Sequence, residues 1–228
     1  MASSRSPLLR LVHDARLSSL GEVAELSSVE DAGLVELCLS GQPRAFETLY
    51  RRHAPFAINL AVRIQGSSRD VEDLVHDAFV RIHDRLPELR DKGAFRSWLG
   101  SIVVRLLRTR LRRERLARML GLSQSKDGEV ELHNVASMEA SPELRAQLAQ
   151  VYALLGVMPA DLRITWVLRN IENHRLEAVA ELSQCSLATA KRRLNKAQSF
   201  LERHFIDPQL QGTSEEGEQR ASTRKAGT

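Results

Sequence analysis

Between Phe95 and Met119 the chain reads FRSWLGSIVVRLLRTRLRRERLARM. Apolar residues recur there at three- and four-residue steps. At about 100° per residue, Trp98, Leu99, Ile102, Val103, Leu106 and Leu107 gather on one face of a helix. Eight arginines lie between Arg96 and Arg118, against one acid, Glu114. Arg105, Arg108, Arg112 and Arg115 share a second face with Ser97 and Ser101. A row of guanidiniums this dense repels itself unless an anionic surface lies across it. Nucleic-acid phosphate is the commonest such surface, while an acidic protein or a membrane would also serve.

The preceding helical segment inverts the sign. Arg69 to Leu86 reads RDVEDLVHDAFVRIHDRL and is broken by Pro87. Val71, Leu74, Val75, Ala78, Phe79 and Ile82 form its apolar face, and Asp70, Asp73, Asp77 and Asp84 line a neighbouring edge. An acidic stripe is usually a solvated face. Beside an apolar seam it also suits docking against a basic partner. The short loop PELRDKG (Pro87 to Gly93) joins the two helices.

Elsewhere the text punctuates itself. Gly 12 and Pro 7 among 228 residues are few, which favours helices over a turn-dense β fold. Residues 1–30 show no long period and read as an N-terminal extension, and 31–120 are densely helical. Residues 121–141 lose the period and carry Asp127, Glu129, Glu131 and Glu139 against Lys126, so they read as a flexible linker. Ser141-Pro142 starts a second helical block over 142–206, and 207–228 read as a polar, disordered tail. The expectation is an all-α protein of two small helical domains on a flexible tether. Cys38 and Cys185 are the only cysteines and read as small core residues. No run of 18 or more apolar residues is present, and the first residues lack the pattern of a secretory signal, so a reduced, cytoplasmic protein without membrane insertion is expected.

The second block holds a helix-turn-helix pattern. Leu176 to Ser183 is a short amphipathic helix, Gln184-Cys185-Ser186 a tight turn, and Ser186 can cap the next helix. Leu187, Ala190, Leu194, Ala197 and Leu201 would face the core. Thr189, Arg192, Arg193 and Lys196, with Ala188 at the margin, would face outward, where Thr and Arg reach base edges or phosphates in a major groove.

Taken together, residues 31–205 resemble bacterial RNA polymerase sigma factors of the extracytoplasmic-function (ECF) branch of the sigma-70 family. The segment from Ala45 to His53 is similar to that family's opening helix, and Asp70 to Val80 to its polymerase-binding helix. Ala94 to Leu99 is similar to the entry of its promoter-melting helix. Glu177 to Leu182 with Thr189 to Leu194 is similar to its DNA-binding helix pair. Gln184 departs from the glycine common in that turn.

The resemblance implies a first domain equivalent to sigma region two and a second equivalent to region four. It implies that Asp70, Asp73, Leu74, Asp77 and Phe79 meet core RNA polymerase, at its clamp helices, with the flap as a second contact for the chain. It implies that Lys92, Arg96, Ser97, Ser101, Arg105, Arg108, Arg112 and Arg115 meet the melted minus-ten DNA, the loop before them capturing a flipped base. It implies that Ser186, Ala188, Thr189, Lys191, Arg192, Arg193 and Lys196 read the minus-thirty-five duplex, and that an anti-sigma factor silences the chain. Trp98 reads as core packing rather than a stacking platform.

A helix-turn-helix regulator without stable polymerase binding is the alternative, but it leaves the acid stripe and the arginine helix unused. An enzyme is not expected. His76 and His83 stand seven apart, no HExxH or glycine-rich phosphate loop occurs, and neither a metal nor a cofactor is called for.

Overall fold

The computed structural model describes residues 26–122 and 141–204. The expectations for residues 1–25, for most of the linker and for the tail lie outside the described residues. Among the described residues all regular structure is helical. We number the helices α1 (Asp31–Leu39), α2 (Pro43–Gln65), α3 (Val71–Arg85), α4 (Phe95–Met119), α5 (Pro142–Val157), α6 (Ala160–Asn170), α7 (Leu176–Leu182) and α8 (Leu187–His204). Two short 3-10 turns, Leu86–Glu88 and Lys92–Ala94, connect α3 to α4.

The helix ends follow from local chemistry. Pro43 and Pro142 open α2 and α5 at positions where no amide hydrogen is needed. The Ser141 hydroxyl accepts the Leu144 amide at 3.3 Å, and the Ser186 hydroxyl accepts the Thr189 amide at 3.2 Å. α2 stops at Gly66, whose φ of +73° returns its amide to the Val62 carbonyl. The acidic helix begins at Val71 rather than at Arg69, because Asp70 takes a left-handed φ of 52°.

In the first half, α4 packs on α2 and α3 through Phe95, Leu99, Val103 and Leu107, all fully buried against Leu49, Leu60, Ile64 and Ile82. Each such side chain is worth roughly 1.5–3 kcal/mol of burial. Leu26, ahead of α1, joins this core. In the second half, Leu155, Ile164, Leu168 and Ala197 close α5, α6 and α8 together.

The two halves also pack on each other. α6 and α7 lie against α4, and α6 touches α2, so one apolar cluster runs through both. Gly100 on α4 makes this possible for α7: a Cβ there would sit 3.0 Å from the Leu182 side chain. Apolar surface on the flanks of α2 and α4 supplies this contact.

Candidate nucleic-acid interface

The acidic edge of α3 stands free. Asp73, Asp77 and Asp84 are exposed. No arginine or lysine among the described residues pairs with them. Asp70 differs: its carboxylate receives Arg110 of α4 at 2.7 Å. Leu74 and Phe79, expected at a partner surface, are core residues at 7% and 2% exposure. Phe79 lies against Tyr50 with ring centroids 4.7 Å apart and edge-on to Phe46 at 6.3 Å. Both hold the aspartates in place from beneath.

The arginines of α4 do not form one open row. Arg96 is exposed and lies over the Phe56 ring at 4.0 Å, a cation–π contact. Arg105 is exposed and donates to Gln184 Oε1 at 2.5 Å. Arg108 is mostly covered: it donates to the Ser183 carbonyl at 2.7 Å, and its Nε lies 2.9 Å from Asp161 Oδ1 without the alignment of a hydrogen bond. Burial pulls the Arg108 guanidinium below its ordinary pKa, against the opposing pull of the Asp161 charge. Arg112 is more open, and donates to Asp161 Oδ2 at 2.5 Å. Arg115 lines a shallow groove with Lys196 and Arg203 of α8, floored by Val157, Leu162 and Phe200.

Of the remaining α4 positions, Ser97 donates to Glu181 at 3.3 Å, and Ser101 bonds back to the Trp98 carbonyl within the helix. Lys92, in the loop, pairs with Glu36 at 2.9 Å. Trp98 packs on the edge of the core beside Phe95, as its apolar position implies.

The helix-turn-helix forms where the sequence places it. Gln184 adopts a left-handed φ of 50°, a conformation that favours glycine. Ser186, Ala188, Lys191, Arg192 and Lys196 are exposed along α8, and Thr189 is half-buried with its hydroxyl 2.9 Å from that of Ser186. Arg193, expected to face DNA, instead turns toward Asp161 at 3.4 Å and is largely covered. Leu187, expected in the core, is 38% exposed at the first position of α8.

Asp161 is therefore the residue that helical-wheel reasoning misses. It sits at the start of α6, and its partners lie far away in sequence. Burial raises its carboxyl pKa, and the Arg112 hydrogen bond with the charges of Arg193, Arg112 and Arg108 outweighs that and holds it below the usual carboxylate value.

Residues 49–117, which include α3 and most of α4, match the sigma-70 region 2 family. The chain is 28% identical over 196 residues to the RNA polymerase sigma-H factor of Pseudomonas aeruginosa, covering 82% of this chain and 96% of that one. It is 27% identical over 178 residues to the ECF RNA polymerase sigma-E factor of Haemophilus influenzae, covering 75% and 93%. Residues 49–117 thus carry the sigma-70 region 2 pattern, and over most of its length the chain is similar to sigma factors, several of the extracytoplasmic-function branch. The fold agrees: the sigma factor RpoE of Bartonella quintana, solved with the anti-sigma factor NepR, superimposes with a TM-score of 0.52 at 19% identity, over 69% of this chain and 94% of that one.

Among the described residues the bundle is all-α, and the family match falls on the half that carries the charge inversion. No helix among the described residues is long and apolar enough to cross a membrane.

Proposed function

We propose that this chain is a sigma factor that binds core RNA polymerase through α3 and directs it to a two-part promoter, using α4 on the melted minus-ten element and α8 on the minus-thirty-five duplex. The carrying observation is the free acidic edge of Asp73 and Asp77, held rigidly above the Leu74 and Phe79 core and beside the arginine-rich α4. A regulator that merely bound duplex DNA would have no use for such an edge. Region boundaries follow the sequence: residues 31–120 as region two, 142–206 as region four, and the acidic segment between them as the tether.

In this reading Lys92 and the loop around it meet the flipped minus-ten base, and Arg96, Arg105 and Arg112 track the strand, with Arg108 and Arg115 joining once the halves part. Arg192, Lys191 and Lys196 meet duplex phosphates and base edges, with Ser186 and Thr189 at the helix start. The chain acts by binding, in the cytoplasm, and performs no chemistry itself. An anti-sigma factor of the kind seen with the Bartonella quintana protein is the natural silencing partner.

The test is reconstitution. Purified chain and core polymerase should form a holoenzyme on gel filtration and yield specific run-off transcripts from genomic DNA. Failure of the holoenzyme to assemble refutes the reading.

A further inference from the structure

Asp161 joins the two halves through two cations of α4 and pairs with a third, on α8, within its own half. Its Oδ2 takes Arg112 at 2.5 Å, and its Oδ1 lies 2.9 Å from Arg108 and 3.4 Å from Arg193. Arg108 and Arg112 belong to α4 and Arg193 to α8, so one carboxylate holds cations from both proposed DNA-contacting helices. Around it α7 and its turn lie along the same α4 face, through Ser97 to Glu181, Arg105 to Gln184 and Arg108 to the Ser183 carbonyl. The α4 face offered to a melted strand is thus occupied by the chain's own second half.

We infer that Asp161 is an internal phosphate surrogate that clasps the two halves shut, so that the free chain masks its own DNA-binding face until a nucleic acid displaces the carboxylate. The chemistry is one of exchange: the oxygens on Asp161 satisfy the same guanidiniums that phosphate oxygens would. A single partly solvated carboxylate competes poorly with a polyanion once polymerase holds the chain beside DNA. The role given to the arginines rests on the sigma-factor reading; the closure itself does not.

The experiment uses the full chain without polymerase. Binding of a fluorescein-labelled single strand of random sequence is measured for wild type, Asp161→Asn and the exposed control Glu177→Gln, which makes the same charge change. Solution X-ray scattering gives the radius of gyration of each. Asp161→Asn should bind about ten-fold tighter, in the range of ordinary coupling between sites, and have a larger radius of gyration. Glu177→Gln should stay within about two-fold of wild type. Arg108→Gln combined with Arg112→Gln breaks the bridge from the opposite side and, read by radius of gyration alone, should also expand; it decides the matter should Asp161→Asn fail to fold. Equal affinity and equal size for Asp161→Asn and wild type overturn the clasp even if wild-type holoenzyme transcribes normally. A wild-type chain that never assembles with polymerase counts instead against the sigma-factor reading and leaves this comparison standing.

Discussion

Arg163 of α6 caps the end of α2 around Ile64: its Nε donates to the Ile64 carbonyl at 2.7 Å, and its Nη2 to the Gln65 carbonyl at 2.5 Å. The last carbonyls of a helix have no partner within it and carry partial negative charge, so a guanidinium placed there answers both needs. Arg163 is 6% exposed, and burial pushes its pKa down to about 10. The Tyr152 hydroxyl adds a bond to the Arg63 carbonyl at 3.3 Å. Replacing Arg163 with Met leaves those carbonyls buried without donors. We expect a loss of roughly 2–4 kcal/mol, read as a lower urea midpoint for the full chain.

Reversing both Asp73 and Asp77 to Lys should abolish polymerase binding while leaving the fold intact. Both side chains are exposed, and no arginine or lysine among the described residues pairs with them. The melting temperature should move by no more than an exposed-surface change allows, about 0.5 kcal/mol per site. Co-elution with core polymerase on gel filtration, beside a thermal melt of the free chain, checks both halves of this expectation. Retained co-elution would remove α3 from the docking surface.

Arg192→Ala combined with Lys196→Ala should weaken promoter duplex binding by the holoenzyme and flatten its salt dependence. If both cations contact phosphates, the slope of log K against log salt should fall by about two. The two residues are exposed on α8, so folding should be little affected. Fluorescence anisotropy at several potassium chloride concentrations gives the slope. An unchanged slope would take α8 off the phosphates.

Acid sensitivity should appear at Asp31. Its carboxylate receives Arg52 at 2.7 Å and lies 2.9 Å from His53. Burial raises its pKa, but the interactions with His53 and Arg52 outweigh this and hold it below its ordinary value. A depressed folded-state pKa means the contribution is fully present above the unfolded value and is lost as pH falls through the folded one. Asp31→Asn should therefore have a lower urea midpoint than wild type at pH 7, and the gap should close as the pH is taken down through the carboxylate range. A gap that stays constant throughout would mean that Asp31 is not held ionised by these partners.

Most of the helical architecture can be read directly from residue spacing. The apolar period of α3 and α4, the Ser141 and Ser186 caps and the turn at Gln184 all depend on neighbours within a few residues, and a helical wheel contains that information. Arg108 and Arg193 read as open to DNA for the same reason. A wheel places them on a cationic face but cannot know that Asp161, 53 and 32 residues away, folds across it. Phe79 and Leu74 show the converse: the resemblance assigns a helix to a partner, and packing decides which of its residues the partner can touch. The close approach of the halves is invisible in the sequence for a related reason, since Tyr152, Gly66 and Arg163 carry no pattern individually.

Gly66 ends α2 with a φ of +73°, and a Cβ on it would come within 2.8 Å of the Tyr152 ring. The smallest residue in the alphabet is thus a spacer at the seam, and one added carbon would act as a wedge. Natural drift at this position could tune how readily the protein springs apart without altering any group that reads DNA.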